Sequence, residues 1–149
     1  MRVVVQRSKE SSVEIADKIY NQINHGLVVL SCFTEGDTSE DIDYIVKKIT
    51  NLRIFDDENG VMNKSVIEVQ GSILSISQFT LYAQTAKGNR PSYIRALPGE
   101  LSSKLYEEFN EKFNKIVPCV TGIFGADMKL SITNDGPVTI IIDSKDKNL

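Results

Sequence analysis

The run Gly26-Leu27-Val28-Val29-Leu30-Ser31-Cys32-Phe33 is apolar at almost every position. A strand with one wet face alternates, so an unbroken run of this length calls for a strand buried on both faces, inside a covered sheet. The cover follows directly. Thr38-Ser39-Glu40-Asp41 sets a hydroxyl before two acids, the signature of a helix start. Ile42, Ile45, Val46, Ile49 and Leu52 then recur at helical spacing, which predicts an amphipathic helix over residues 38–51. A second is predicted after Pro98-Gly99-Glu100, with Leu101, Leu105, Phe109, Phe113 and Ile116 on its buried face and Pro118 beyond its end.

The rest of the chain reads as strands. Val3–Arg7 and Ser11–Ala16 form a predicted hairpin about the polar Ser8-Lys9-Glu10. Arg53-Ile54-Phe55 is a short strand closed by a turn over residues 56–60, and Val66–Val69 alternates. Ser72–Tyr82 is the longest strand candidate, and Cys119–Thr121, Met128–Thr133 and Val138–Ile142 complete the set. Lys145–Leu149 is a polar tail expected to fray. The expected architecture is a β-rich α/β fold, a single domain over residues 1–149, with mixed sheets packed by two main helices.

Composition removes several function classes. The formal charge of −3 argues against holding nucleic acid by broad electrostatic attraction, although Lys87, Arg90 and Arg95 fall close together in one loop. The N-terminal segment Met1–Arg7 resembles neither a signal peptide nor a membrane span, so a cytoplasmic address is expected. Cys32 and Cys119 lie far apart in apolar runs, without metal-ligand spacing, and are expected to be buried free thiols. His25 is the sole histidine, so no histidine pair for a metal can form and a Ser-His-Asp triad would need His25 itself, whose place in a turn suits a solvated or capping residue. Asp56 and Asp57 sit in a glycine-closed turn, which suits solvated carboxylates better than an acid–base pair.

Two segments keep polar groups where strands should be apolar: Ser77-Gln78-Phe79-Thr80-Leu81 and Asn134-Asp135-Gly136-Pro137-Val138-Thr139. With no metal site and no activated nucleophile, these segments offer hydroxyls, amides and main chain. Pre-aimed N–H groups can polarise a carbonyl, and one such donor is worth about 2.7–4 kcal/mol in a transition state. That suffices for an activated ester, whereas an amide or phosphodiester asks for a stronger nucleophile or a metal. Two other readings fit the same residues. One is an RNA-binding module that grips a strand end with the Lys87–Arg95 loop and Tyr93. The other is a dimeric interaction protein in which Gly136-Pro137 is only a clasp.

Taken together, the motifs resemble the D-aminoacyl-tRNA deacylase family from end to end. Ser77-Gln78-Phe79-Thr80 matches its Ser-Gln-Phe-Thr motif, and Asn134–Thr139 its Asn-x-Gly-Pro-Val-Thr motif. Asn51–Phe55, Lys87–Tyr93 and Gly122–Met128 follow in the family's order. Departures are confined to about residues 8–33, where Ser11, Asn24, His25 and Ser31-Cys32-Phe33 replace smaller or more apolar residues.

The resemblance implies a homodimer that hydrolyses the ester between a D-amino acid and the terminal adenosine of tRNA, and also cleaves glycyl-tRNA. It implies a cis Gly136-Pro137 bond on a loop inserted into the partner's pocket, where an L side chain would meet backbone. Ser77, Gln78, Phe79 and Thr80 would then be catalytic, with the amides near Phe79 and Thr80 facing the oxyanion. Thr80 would act either as nucleophile or, with no base beside it, as a positioning group while the substrate's 2′-hydroxyl helps activate water. Asn134, Gly136, Pro137, Val138, Thr139 and Arg7 would bind substrate and select its chirality, and Lys87, Arg90 and Arg95 would contact tRNA. No cofactor or metal is implied, and no membrane.

Overall fold

A computed structural model describes residues 1–149. Its strands are β1 (Arg2–Ile15), β2 (Lys18–Ile23), β3 (Gly26–Cys32), β4 (Phe55–Asp56), β5 (Met62–Lys64), β6 (Ser72–Ser77), β7 (Cys119–Thr121) and β8 (Lys129–Asp143). The helices are α1 (Ser39–Asn51) and α2 (Gly99–Asn114), and a 3-10 turn covers Phe79–Tyr82. The apolar run becomes β3, flanked by β1 on one side, antiparallel, and β6 on the other, parallel. β7 extends the parallel part, and β8 pairs with the far side of β1. The result is a mixed, nearly closed sheet with both helices packed on it. β4 and β5 form a separate hairpin. Gly26 opens β3 where only glycine fits: its φ is +139° and an added Cβ would lie 1.9 Å from Ser72 O.

α1 forms as predicted, with Thr38 and Asp41 exchanging the two bonds of a capping box and Ile42, Ile45, Val46 and Ile49 buried. α2 also forms, but its buried face runs through Ser102, Tyr106, Phe109 and Phe113. Leu101 and Ile116, placed on that face by spacing, are 56% and 47% exposed. The main core lies between helices and sheet, with Phe109 set edge-on to Phe33 and Phe113. A smaller cluster of Val13, Ile23, Val28, Leu74 and Ile76 fills the other face of the sheet.

The strand boundaries differ from the sequence reading in several places, among them the strand expected over Arg53-Ile54-Phe55, which is observed as Phe55–Asp56 paired with the unexpected β5. β1 is continuous, because β8 pairs along it; Ser8-Lys9-Glu10 lies where the register shifts and makes no turn. β2 was not expected, and its hairpin turns on Ala16 and Asp17 at φ of 52° and 62°, without a glycine to announce it. Val66–Val69 is a turn. Finally, Met128–Thr133 and Val138–Ile142 belong to one strand, β8, which bulges between them. Gln6 pairs with Thr139 and Ser8 with Asn134, so Asp135–Val138 stand opposite Arg7 alone. The tail turns back on α1, with Lys145 bonded to Asp41 and to Gly36 O. No helix is long and apolar enough to cross a membrane.

Candidate active site

Ser77 ends β6, and the chain then leaves the sheet. Gln78 N still donates to Ser31 O at 2.7 Å, but Phe79 to Tyr82 coil into the 3-10 turn, correcting the long strand predicted to residue 82. Leu81 N and Ala83 N donate to Gln78 O and Thr80 O, whereas the amides of Phe79 and Thr80 take no acceptor in the turn. The first amides of any helical turn lack internal partners, so the departure from the strand is what frees them. The turn is held from below. Cys32 Sγ donates to Phe79 O at 3.3 Å, and the Tyr82 ring lies between the Arg2 and Arg95 guanidinium groups, 5.0 and 5.8 Å from its centre.

Above the turn is a cleft of about 490 Å³, the size of a small-molecule site. Ser77, Gln78 and Phe79 line one side. Phe124, Ala126 and Met128, from the loop between β7 and β8, line the other. Phe79 and Tyr93 meet edge to face at its mouth, 5.0 Å between centroids. Gln78 Nε2 donates to Thr80 Oγ1 at 2.7 Å, so the threonine oxygen is occupied as an acceptor while its proton remains free to donate.

Arg7, expected among the residues that bind substrate and select its chirality, lies against the Gly-Pro loop. Its side chain is only 9% exposed. Nε donates to Asp135 O at 3.0 Å, and one terminal nitrogen reaches Ile54 O at 2.8 Å and Asp56 Oδ1 at 3.2 Å. Arg7 therefore ties the β8 bulge to the β4–β5 hairpin, and Asp56 is an ion-pair partner. Within the bulge the Gly136–Pro137 peptide is cis. Asn134 closes it, accepting from Val138 N at 3.2 Å and donating to Thr139 Oγ1 at 3.0 Å. Gly136 sits at φ +125°, and a Cβ there would stand 2.8 Å from Val138 Cγ2 and 3.1 Å from an Arg7 nitrogen.

The two motifs do not meet within one chain. Gly136 and Pro137 are exposed, and neither lines the cleft. Lys87 and Arg90 stand free of ion pairs on the loop that the Gln84–Ser92 bridge closes. Arg95 is drawn back onto Tyr82. His25 Nε2 donates to Val69 O at 3.0 Å, away from the cleft. Both cysteines are free and buried as expected, and burial pushes the thiols up, Cys32 to about 11 and Cys119 to about 12. Sequence reasoning missed Leu97, Ser102 and Leu130 in the cleft wall, which carry no chemical signal of their own. It also left Phe124 and Met128 unassigned, although both lie in a segment already singled out.

A mixed sheet backed by two helices, with a small-molecule cleft lined by Ser77, Gln78 and Phe79 but not by Thr80, beside a turn whose first amides lack internal partners, defines a small β-rich α/β protein. A family model, D-Tyr-tRNA(Tyr) deacylase, matches residues 4–143. Among solved structures, the chain is similar to the c-Myc DNA unwinding element binding protein, at 40% identity over 96% of this chain and 98% of that one, TM-score 0.90. It is also similar to a probable eukaryotic D-amino acid tRNA deacylase, at 18% identity over 95% and 97% of the chains, TM-score 0.82, a likeness of fold. The chain belongs to the D-Tyr-tRNA(Tyr) deacylase family. Its activity is hydrolysis of D-aminoacyl-tRNA.

Proposed function

We propose that the protein hydrolyses the ester of D-aminoacyl-tRNA with the Phe79 and Thr80 amides as oxyanion donors. The observation that carries this reading is that both amides lack an acceptor in the turn, whose first residue, Phe79, lines the cleft. Water adds to the ester carbonyl, the developing oxyanion takes the two N–H bonds, and the acyl–oxygen bond breaks as the ribose oxygen regains a proton. Thr80 positions and does not attack: its neighbour is a carboxamide that donates to it, and no base is at hand to take its proton. The substrate's 2′-hydroxyl helps activate the water. Ser77 and Gln78 hold the terminal nucleoside, and Lys87, Arg90 and Arg95 contact tRNA.

Chirality is selected by a second copy of the chain. In the homodimer the bulge of one protomer, with Gly136, Pro137 and Val138 braced by Arg7, Asn134 and Thr139, enters the cleft of the other. The separation of bulge and cleft within one chain supports this arrangement. Main-chain carbonyls of the bulge accept from the substrate ammonium. With ammonium and carbonyl both fixed, a D side chain points outward, an L side chain meets backbone, and glycine has nothing to clash. Glycyl-tRNA is therefore also a substrate. The 149 residues act as one domain, in the cytoplasm.

The test is release of amino acid from D-tyrosyl-, L-tyrosyl- and glycyl-tRNA with a chelator present. Release from the D- and glycyl-esters alone is expected. Equal release from the L-ester would overturn selection by clash, and tRNA binding without any turnover would favour the RNA-binding module.

A further inference from the structure

The lining of the cleft contains no lysine or arginine, so charge that develops on a bound ester must be met by neutral donors and main chain. Phe79 and Thr80 supply one side. On another, the cleft is walled by the first turn of α2, through Gly99 and Ser102. This helix start differs from that of α1. Where Thr38 and Asp41 cap α1 with their side chains, Pro98 gives α2 no side-chain bond, and the Glu100 carboxylate turns to Lys104 at 3.7 Å. The amides of Gly99, Glu100 and Leu101 take no acceptor, and open space lies where a Cβ on Gly99 would stand. The positive end of a 16-residue helix therefore meets the cleft without a cap.

Ser102 gives that end a chemistry. It is 8% exposed and lines the cleft, and its hydroxyl makes no hydrogen bond within the chain. Serine in a helix often turns its hydroxyl back to the carbonyl four residues earlier, but here Pro98 O accepts from Ser102 N, at 3.0 Å, and the hydroxyl stays free. Alanine would fill the same place with a higher helix propensity and without burying a polar group, so the packing of α2 gives no reason for the hydroxyl. One turn along, Tyr106 OH donates to Ser75 O at 2.8 Å and ties α2 to β6. Residues four apart share a helix face, so Ser102 faces the same strand, and it meets the cleft together with Ser77 at the end of β6.

An ester under attack has two oxygens in need of donors. The carbonyl oxygen becomes an oxyanion, and the ribose oxygen gains charge as its bond to the acyl carbon breaks. Both hang on one carbon and point apart, so with the first on the Phe79 and Thr80 amides the second turns to a different wall. The β7–β8 loop presents Phe124, Ala126, Met128 and the carboxylate of Asp127, none of them a side-chain donor. Gln78 is already bonded to Thr80, and Tyr93 stands against Phe79. The α2 wall presents Ser102.

We propose that Ser102 is a further catalytic residue, whose hydroxyl donates a hydrogen bond to the ribose oxygen as that oxygen leaves, within the positive field of the α2 start. Water adds to the acyl carbon and gives up one proton. The acyl–oxygen bond then breaks, its electron pair goes to the ribose oxygen, and that oxygen takes up the proton by way of the neighbouring 2′-hydroxyl. Ser102 meets the charge in between and keeps its own proton. The inference rests on the deacylase reading with its turn amides.

The test is single-turnover hydrolysis of D-tyrosyl-tRNA by the wild type and by Ser102→Ala, with the terminal ribose 3′-oxygen as oxygen-16 or oxygen-18. Alanine is the better helix former, so the variant keeps α2. Loss of the donor is expected to slow the chemical step about tenfold and to raise the isotope effect at the leaving oxygen, because departure of that oxygen then limits the rate. A merely structural role would lower the rate and leave the isotope effect where it was. An unchanged rate in Ser102→Ala, or a slower rate with an unchanged isotope effect, would overturn the role of Ser102 and leave the deacylase reading standing. No release of D-tyrosine by the wild type would overturn the deacylase reading, and the role of Ser102 with it.

Discussion

Cys32 shows how a single side chain conditions the site without touching substrate. Its Sγ donates to Phe79 O at 3.3 Å, on the peptide whose N–H belongs to Thr80. A hydrogen bond of this kind contributes about 1 kcal/mol. Removing it in Cys32→Ala is expected to lower kcat about fivefold with KM little changed, and Cys32→Ser, which keeps a donor, to restore most of the rate. Steady-state kinetics on D-tyrosyl-tRNA checks both. Arg7 acts on the bulge in the same indirect way. Truncation to Met leaves Asp135 O and Ile54 O without their charged donor, so stability is expected to fall by about 2–3 kcal/mol in urea unfolding. The ratio of D- to L-ester hydrolysis should fall with it, while a variant that is less stable but equally selective would show that Arg7 does not brace the bulge.

The elements carry unequal shares of the fold. Phe109 is fully buried on α2 between Phe33 and Phe113, and Phe109→Ala is expected to cost about 3–5 kcal/mol. Leu101→Ala, at a position spacing alone would call core, is expected to change stability by no more than about 0.5 kcal/mol. Both are read from urea midpoints. The contrast marks what was legible in the chain. α1 and β3 could be read because cap, stripe and apolar run agree. α2 was legible as a helix, but a stripe led by Leu101 and one led by Ser102 differ by a single residue, and only packing against the sheet decides between them. β1 and β8 were each read as two strands, because a bulge looks like a turn until the partner strand is known. For the site, one motif lies at the cleft and the other forms the bulge. The amides near Phe79 and Thr80 were legible only through the resemblance; from the residues alone they were not, because the chain leaves β6 after Ser77 where a strand to residue 82 is expected.

At the scale of the whole molecule, two buried thiols tie stability to pH. Burial holds Cys32 up at about 11 and Cys119 at about 12, against 9.0 for an ordinary thiol. The unfolded chain therefore loses these protons first. Their stabilising contribution is fully present below pH 9 and is lost as pH rises toward the folded values, by about 1.4 kcal/mol per pH unit for each thiol. Urea midpoints are expected to fall between pH 9 and 10, and the fall to flatten in a Cys32→Ala, Cys119→Ala double variant. The same scale holds the central claim, that cleft and bulge meet only across two chains. Mixing two inactive variants tests it directly. Ala126→Trp fills the cleft and Gly136→Val displaces the bulge, so each homodimer has two broken sites. A mixed dimer regains one intact site, the cleft of one chain with the bulge of the other. Random exchange of subunits is then expected to restore about a quarter of wild-type activity on D-tyrosyl-tRNA, since half the dimers are mixed and half their sites intact. No recovery, from subunits shown to have exchanged, would contradict the account.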